Sequence, residues 1–284
     1  MIDTVKTVGI VGQGFVGQAL KEVFSQYHTV HTYDKFIKKL STHDSIRELS
    51  TDCDVIFICV PTPMKPDGSC DTSIVEEVCL ESIRGNLENI IVIKSTVPPG
   101  TTERLNHLWT WEKSERIVFN PEFLTERFAK EDFKNTNRAI LGGPIDATTV
   151  LKQFYAHVFP NVAVLKTDSS VAEYVKYLSN CFLAVKVAVA NEFAAMCKIH
   201  GVDYDKVTEY AAYDNRLGDS HWVVPGPDSK LGFGGSCFPK DINAMIHLAS
   251  ELGSPCHTLA GAWKTNLEVR PERDWEELKG RAVQ

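Results

Sequence analysis

The 284-residue sequence lacks the features that define several large classes of protein. No apolar run approaches the length of a membrane span, and the N-terminus enters a strand pattern without a signal-peptide arrangement. The formal net charge of −7 argues against a general nucleic-acid binder. The eight cysteines show neither paired C-x-x-C metal spacing nor the rhythm of a disulfide scaffold. We therefore expect a cytoplasmic protein with no metal site and with neither a membrane nor a nucleic acid as its partner.

The first segment with a chemical signature is a glycine-rich turn near the N-terminus. Val5–Val11 reads as a buried strand, and Gly12-Gln-Gly-Phe-Val-Gly17 follows it before a helical run through Phe24. In this context G-x-G-x-x-G is typical of dinucleotide binding, because glycines permit a tight turn and close approach to a pyrophosphate at the helix N-terminus. An ordinary turn between strand and helix is the alternative. The expected cofactor-binding residues here are Gly12, Gly14, Phe15, Val16 and Gly17.

An acidic residue follows the second predicted strand, Thr29–Tyr33. Asp34 lies at the spacing expected for a carboxylate that binds the ribose hydroxyls of adenosine, where it would repel a 2′-phosphate. NAD is therefore favoured over NADP as the cofactor. Nearby lysines, among which Lys39 is a further cofactor-binding candidate, weaken that preference slightly.

Strand and helix patterns continue to alternate through the first part of the chain. We expect residues 1–166 to form an α/β domain, a Rossmann-like doubly wound sheet with helices on both faces. Further strand candidates are Val55–Val60, Ile90–Lys94, Ile117–Phe119, Ala139–Leu141 and Val162–Leu165. Three loops follow such strands, where these sheets bind ligands, although each is also compatible with a proline-stiffened turn. The loops are Pro61–Pro63, Ser95–Gly100 and Asn120–Glu126.

The periodicity becomes helical after Asp168. A long helical pattern runs to about His200, and its length suggests the spine of a second, all-helical domain over residues 167–270. Lys176 and Asn180 are four residues apart and share a face, with a solvated helix face as the alternative reading. A shorter helix near Tyr204–Tyr213, a Gly- and Pro-rich loop and one more long helical run from Pro239 toward Val269 follow. Residues 271–284 are expected to form a short tail.

The most informative segment is Gly232-Phe-Gly-Gly-Ser-Cys-Phe-Pro-Lys-Asp241. It places Cys237 where a glycine-rich loop meets a helix start, since Pro239 suits the first helical turn. The positive end of the helix dipole and the neighbouring Lys240 both favour a thiolate. Asp241 lies one turn beyond Cys237 and can share its face. This composition is typical of covalent catalysis, with a buried structural cysteine as the alternative.

Five segments in this order resemble the UDP-glucose/GDP-mannose dehydrogenases, and the resemblance covers nearly the whole chain. They are G-Q-G-F-V-G at the first turn, K-S-T-V-P-P-G at Lys94–Gly100, N-P-E-F-L-T-E at Asn120–Glu126, A-E-Y-V-K-Y-L-S-N at Ala172–Asn180 and the Cys237 segment. The resemblance implies a four-electron oxidation of a nucleotide sugar, with UDP-glucose favoured, by two NAD⁺. The sugar C6 alcohol becomes an aldehyde, then a cysteine thiohemiacetal, a thioester and finally the acid.

Residue roles also follow from the resemblance. Cys237 matches the nucleophile, Asp241 a carboxylate that assists it or the water, and Lys176 with Asn180 the pair that stabilises oxyanion charge. Glu122 and Thr96 match residues that position or activate a water. Further cofactor contacts are implied for Thr62, Ser95, Glu126 and Lys240, and substrate contacts for Phe123, Leu124, Arg216, Lys230, Phe233 and Gly234. Arg216 resembles an arginine that reaches a neighbouring subunit's substrate, which implies a homodimer.

The chain departs from the family pattern after Arg270, because only 14 residues remain where members carry a third, nucleotide-gripping domain. Two other functions therefore stay open. A β-hydroxyacid-type dehydrogenase shares the domain pairing and a Lys-x-x-x-Asn pair but performs one two-electron oxidation and needs no thiol. A non-catalytic nucleotide-sugar or NAD-binding derivative is the second alternative.

Overall fold

In the computed structural model, which describes residues 5–109 and 115–284, the chain divides into two compact units. The first comprises Met1–Thr62 and Thr72–Lys176, and the second comprises Pro63–Asp71 and Tyr177–Gln284. The boundaries predicted from the sequence after residues 166 and 270 stay predictions, and parts of the predicted 1–166 domain, residues 1–4 and 110–114, lie outside the described residues.

The first unit contains a seven-stranded sheet, whose strands are β1 Thr7–Val11, β2 Thr29–Tyr33, β3 Val55–Ile58, β4 Ile90–Ile93, β5 Ile117–Phe119, β6 Arg138–Gly142 and β7 Ala163–Thr167. The strands lie in the order β2-β1-β3-β4-β5-β6-β7. Neighbouring strands are parallel except β5 and β6, which pair antiparallel. The predicted Rossmann-like α/β architecture is confirmed. Every strand candidate is a strand, with ends shifted by at most two residues from those predicted.

Apolar side chains cover both faces of this sheet, as expected for parallel strands that are buried on two sides. Successive residues of β3 point to opposite faces, so Phe57 packs with Phe24 and Phe154, whereas Ile56 and Ile58 belong to a second apolar cluster. The Phe24 ring centroid lies 5.1 Å from that of Phe57 and 4.9 Å from that of Phe154. The helices of this unit are α1 Phe15–Phe24, α2 Ile46–Thr51, α3 Ser73–Gly85, α4 Thr101–Trp109, α5 Ala129–Lys134 and α6 Ile145–Val158.

The second unit is helical. The long predicted helix is confirmed as α7, Ser169–His200, whose first eight residues belong to the first unit. The short helix is α8, Tyr204–Ala211. The single run predicted from Pro239 toward Val269 is wrong, because it is two helices, α9 Phe238–Glu251 and α10 His257–Val269. Gly253, with a φ of 64°, and the following Pro255 end α9, since neither suits a helix interior.

The residues after α10 pack within the second unit. Trp275 and Ala282 are each 1% exposed, and the Trp275 ring centroid lies 5.2 Å from that of Trp263 on α10. The backbone N–H of Met64 donates to the carbonyl of Ala282 at 2.8 Å, and Gln284 donates back to Met64. The segment predicted as a short tail is therefore anchored at both of its ends.

No helix among the described residues is long and apolar enough to cross a membrane. The cytoplasmic location stays a prediction.

Candidate active site

The glycine-rich turn has the geometry that a dinucleotide requires. Gly12 has a φ of 91°, and a Cβ there would lie 2.5 Å from the carbonyl oxygen of Cys59. A Cβ on Gly17 would lie 1.9 Å from the Gly12 carbonyl oxygen, so only glycine allows α1 to pack this closely. A Cβ on Gly14, in contrast, would meet no atom within 4 Å. This open side, directly before the α1 N-terminus, suits the close approach of a pyrophosphate.

Asp34 lies at the same turn, as the spacing predicted. Its carboxylate accepts hydrogen bonds from the backbone N–H of Gln13 at 2.7 Å and from those of Phe36 and Ile37 at 2.8 Å. Burial opposes ionisation, but the bonds from Gln13, Ile37 and Phe36 outweigh it and hold the pKa of Asp34 below its usual value. An ionised carboxylate held beside the glycine turn fits the ribose hydroxyls of NAD and disfavours a 2′-phosphate.

We predict that Asp34→Ala weakens NAD⁺ use by about 10- to 100-fold in kcat/KM, the usual effect of losing one charged hydrogen-bond acceptor. The preference for NAD⁺ over NADP⁺ should narrow as well. Steady-state kinetics with both cofactors measure this, with Asp44→Ala, an exposed aspartate ten residues on, as the control. Equal kcat/KM for the two cofactors in the parent chain would contradict the role given to Asp34.

Hydrogen bonds join the loops that follow β3 and β4. The Thr62 hydroxyl donates to the Thr96 carbonyl at 2.8 Å, and the Ser95 hydroxyl donates to the Val60 carbonyl at 2.6 Å. The structure thus brings three of the predicted residues together at the carboxyl edge of the sheet. Two other cofactor candidates, Lys39 and Glu126, are exposed, and their roles stay predictions.

Lys176 and Glu122 form a buried ion pair in the first unit. The Lys176 Nζ lies 2.9 Å from the Glu122 Oε1 and donates to the Glu122 carbonyl at 2.7 Å, with the two residues 3% and 8% exposed. Burial opposes ionisation of Glu122, but Lys176 and the backbone N–H of Leu124, which donates to Oε2 at 2.7 Å, hold its pKa below the usual value. Two cations lie near the Phe123 ring, with the Arg138 guanidinium 4.5 Å and the Lys176 Nζ 5.7 Å from its centroid.

Lys94, Asn120 and Tyr155, to which the sequence analysis assigned no individual role, form hydrogen bonds at the start of the Asn120–Glu126 loop. The Lys94 Nζ donates to Asn120 Oδ1 at 3.0 Å, and the Tyr155 hydroxyl donates to the same oxygen at 2.5 Å. Asn120 Nδ2 donates to the Ile140 carbonyl at 2.7 Å. Burial lowers the pKa of Lys94 to about 8. These residues line one side of a cavity of about 340 Å³ beside the Asn120–Leu124 backbone.

Glu173 is another residue that the sequence analysis missed. It is fully buried on α7 and accepts hydrogen bonds from the backbone N–H groups of Gly100 and Thr102, at 2.6 and 2.9 Å, and from the Thr102 hydroxyl. Burial raises its pKa to about 7. Glu173 thereby holds the end of the Ser95–Gly100 loop and the first turn of α4 against α7 through these hydrogen bonds.

The second unit holds the predicted nucleophile. Cys237 is the N-cap residue of α9, and the backbone N–H of Asp241 donates to its carbonyl at 3.0 Å, which confirms the predicted helix start. Asp241 is 1% exposed and accepts from Asn180 Nδ2 at 2.6 Å through one oxygen and from Lys240 Nζ at 2.5 Å through the other. Burial opposes the charge of Lys240, but Asp241, with smaller contributions from Cys70 and Cys237, raises the pKa of Lys240. A cation is thus held beside the cysteine.

Lys186 of α7 donates hydrogen bonds to the loop that carries Arg216. The sequence analysis assigned no role to this lysine. The Lys186 Nζ donates to the carbonyls of Leu217 at 2.9 Å and Gly218 at 3.3 Å, and it lies 4.6 Å from the centroid of the Trp222 ring. Trp222 Nε1 donates to the same Gly218 carbonyl at 2.9 Å. The Arg216 side chain itself is 88% exposed and pairs with Asp214 at 2.5 Å.

The glycine-rich loop before Cys237 contacts α10. Asn266 Oδ1 accepts from the Phe233 N–H at 2.7 Å, and its Nδ2 donates to the Phe233 carbonyl at 2.9 Å. A Cβ on Gly234 would lie 2.5 Å from a guanidinium nitrogen of Arg270. The Lys230 Nζ lies 3.3 Å from Asp274. The substrate-binding roles predicted for Phe233, Gly234 and Lys230 stay predictions.

Comparisons with known proteins agree with this geometry. Residues 31–159 match the NAD binding domain of the UDP-glucose/GDP-mannose dehydrogenase family, and residues 170–268 match its central domain. The chain is 38% identical over 226 residues to UDP-glucose 6-dehydrogenase of Pseudomonas aeruginosa, a match that covers 76% of this chain and 49% of that protein. The chain spans about half the length of the curated relatives it matches.

Two solved structures have a fold similar to that of this chain. A UDP-glucose dehydrogenase from the hyperthermophilic archaeon Pyrobaculum islandicum superposes with a TM-score of 0.84 at 32% identity, over 93% of this chain and 68% of that one. Mycobacterium tuberculosis 3-hydroxyisobutyrate dehydrogenase covers 95% of both chains with a TM-score of 0.72, but its 15% identity shows a shared fold alone.

The cofactor is NAD, because the first matched domain is the NAD binding domain of the family. The turn at Gly12–Gly17 and the position of Asp34 agree with a bound dinucleotide. With both of the matched domains present in order, the chain belongs to the UDP-glucose/GDP-mannose dehydrogenase family.

Proposed function

We propose that the chain oxidises the C6 alcohol of a nucleotide sugar, UDP-glucose first among the candidates, to the acid in two NAD-dependent steps. The observation that carries the proposal is Cys237 at the α9 N-terminus, beside the Lys240–Asp241–Asn180 network. A two-electron dehydrogenase has no use for a thiol in this setting. The names of the relatives, which are UDP-glucose 6-dehydrogenases, support the substrate class.

In the proposed first step the alcohol gives its hydroxyl proton to water and loses a hydride from C6 to become an aldehyde. The Gly12–Gly17 turn and Asp34 would hold NAD⁺, which would supply the hydride acceptor for each of the two oxidations. Lys176 would stabilise negative charge on the sugar O6, since its buried ammonium is already oriented by Glu122. Asn180 would donate a hydrogen bond to the same oxygen, and its amide is oriented by Asp241.

In the later steps the Cys237 thiolate adds to the aldehyde carbon and forms a thiohemiacetal. Loss of a second hydride gives a thioester, and water then releases the acid and restores the thiol. Because its pKa lies below the usual value, Glu122 is a weak base, and we assign it to orienting the water and to holding Lys176. Thr96 shares the role of positioning that water.

The proposal is tested by counting NADH formed per sugar consumed, with purified protein, NAD⁺ and a panel of UDP- and GDP-sugars. Two NADH per sugar is the expected result. One NADH per sugar would replace the proposal with the two-electron dehydrogenase, and no turnover together with sugar binding would support the non-catalytic derivative.

We also propose a homodimer through the helical unit. The apolar side chains of Leu178, Phe182, Phe193, Met196 and Ile199 follow one another at spacings of 4, 11, 3 and 3 residues along α7, which keeps them on one face of the helix, and each residue is between 51% and 83% exposed. Such a stripe on a long helix favours a self-complementary interface. Arg216, exposed on its fastened loop, would then act on the substrate of the partner subunit.

Light scattering is expected to show a dimer, and Phe182→Asp should shift it toward monomer. Mixing Cys237→Ser with Arg216→Ala protein should restore activity to about a quarter of the parental value, because half of the random dimers contain one complete site. Glu209→Ala, an exposed change on α8, serves as a control in place of Arg216→Ala. An active monomer would refute the dimer, and a mixture without activity would place Arg216 in its own subunit's site.

A further inference from the structure

A buried arginine connects the C-terminal segment to the loop that carries Cys237. Arg270, the residue after α10, is 1% exposed and uses its guanidinium on two sides. Toward the C-terminal segment, its Nε and one terminal nitrogen donate to the two oxygens of Asp274 at 2.8 and 2.7 Å. Toward the loop, the guanidinium donates to Asp228 at 2.6 Å and to the Leu231 carbonyl at 3.2 Å. The Arg270 side chain therefore joins the C-terminal segment to a residue that lies 42 positions before Arg270 in the sequence.

The same guanidinium also packs against the glycine run itself. A Cβ on Gly234 would lie between 2.5 and 2.8 Å from three of its atoms, so the loop backbone lies directly on the planar group. Gly234 is three residues before Cys237. Because the guanidinium is held bidentately by Asp274, it is a fixed surface rather than a mobile side chain.

We propose that Arg270 is a positioning residue for the nucleophile loop, and that Asp274 in the C-terminal segment sets the orientation of Arg270. The inference rests on the proposed function, in which Cys237 is the nucleophile. A lysine cannot replace the arginine, because a single ammonium cannot reach Asp228, Leu231 and Asp274 at once or offer Gly234 a flat face. Loosening this support would let Cys237 move away from the α9 N-terminus and Lys240, which favour its thiolate.

The test compares Arg270→Lys with Thr265→Val, a control on α10, the helix that Arg270 follows. The Thr265 hydroxyl donates to Glu192 of α7 at 2.7 Å, whereas Arg270 donates to the loop. Arg270→Lys is expected to lower kcat at least tenfold with little change in KM. Alkylation of Cys237 by iodoacetamide, followed by peptide mass as a function of pH, should reach half of its maximal rate at a higher pH. Thr265→Val should change neither measurement.

Asp274→Asn supplies a second variant, because it weakens the orientation of Arg270 and leaves the Arg270 contacts with Asp228 and Leu231 in place. It also weakens the ion pair between Asp274 and Lys230. Asp274→Asn should also move the half-maximal rate of Cys237 alkylation to a higher pH. The double variant Arg270→Lys/Asp274→Asn should move it no further than Arg270→Lys alone. If the pH dependence of Cys237 alkylation is unchanged in both single variants while circular dichroism shows an intact fold, the proposal is overturned. A loss of kcat without a shift in that pH dependence would also overturn it. Alkylation does not require turnover, so a failure of the proposed reaction, seen as a fully active Cys237→Ser, is distinguished from a failure of this inference.

Discussion

Cys237→Ser is expected to end net production of the acid, the largest effect of any single substitution in this chain. A serine hydroxyl is far less acidic than a thiol, so it adds poorly to the aldehyde and gives no thioester leaving group. Slow interconversion of alcohol and aldehyde should persist, because the first hydride transfer needs no bond to sulfur. The measurement is product analysis of the sugar together with NADH formation.

Other cysteines provide matched controls for this substitution. Burial raises the pKa of Cys53 and of Cys59 to about 12, and it raises that of Cys79 further, so none of them is a thiolate near neutral pH. Their alanine variants should keep turnover. A Cys237→Ser protein that forms the acid at the parental rate would exclude the covalent mechanism and leave the two-electron dehydrogenase in its place.

Glu122→Gln should interrupt the same reaction at a later step. With the water poorly oriented, the thioester on Cys237 is expected to accumulate after a burst of NADH. Intact-protein mass spectrometry would detect one added nucleotide-sugar acyl group per chain. Slow turnover without a burst or a mass increase would mean that Glu122 acts before the thioester forms.

The elements of this fold that could be predicted are those that depend on residue type and spacing within a short stretch of sequence. The strands β1, β3 and β4 are short apolar runs, and the turn at Gly12–Gly17 tolerates nothing larger at two of its glycines, so spacing and residue type predict them. The start of α9 at Cys237 was predictable for the same reason, since Pro239 and the preceding glycines limit where the helix can begin.

The features that were missed depend on partners far apart in the sequence. Lys94 ends an apolar run and looks like the last residue of a strand, but its buried ammonium supports Asn120, 26 residues away. Arg270 looks like the end of a helix, and its contact with Asp228 leaves no periodicity to detect. The break between α9 and α10 was missed for a different reason, because apolar periodicity on both sides of Gly253 conceals a short turn.

Lys176→Ala is expected to reduce kcat by about a hundred- to a thousandfold, the usual effect of removing one preorganised group that stabilises oxyanion charge. The loss should fall in kcat rather than KM, because charge on the sugar O6 develops only as the reaction proceeds. Lys198→Ala, an exposed lysine on the same helix, is the matched control.

The buried ion pair between Lys176 and Glu122 affects the stability of the Lys176→Ala variant as well as its kcat, and a double variant separates the two effects. Removing Lys176 leaves the Glu122 carboxylate buried and uncompensated, which typically costs about 3–5 kcal/mol of stability. The double variant Lys176→Ala/Glu122→Gln removes both charges, so its melting temperature should recover much of what the single variant loses. Its kcat should stay low, because the cation that acts on the sugar is still absent. Recovery of kcat along with stability would show that Lys176 acts only through the fold, and a change confined to KM would make it a binding residue.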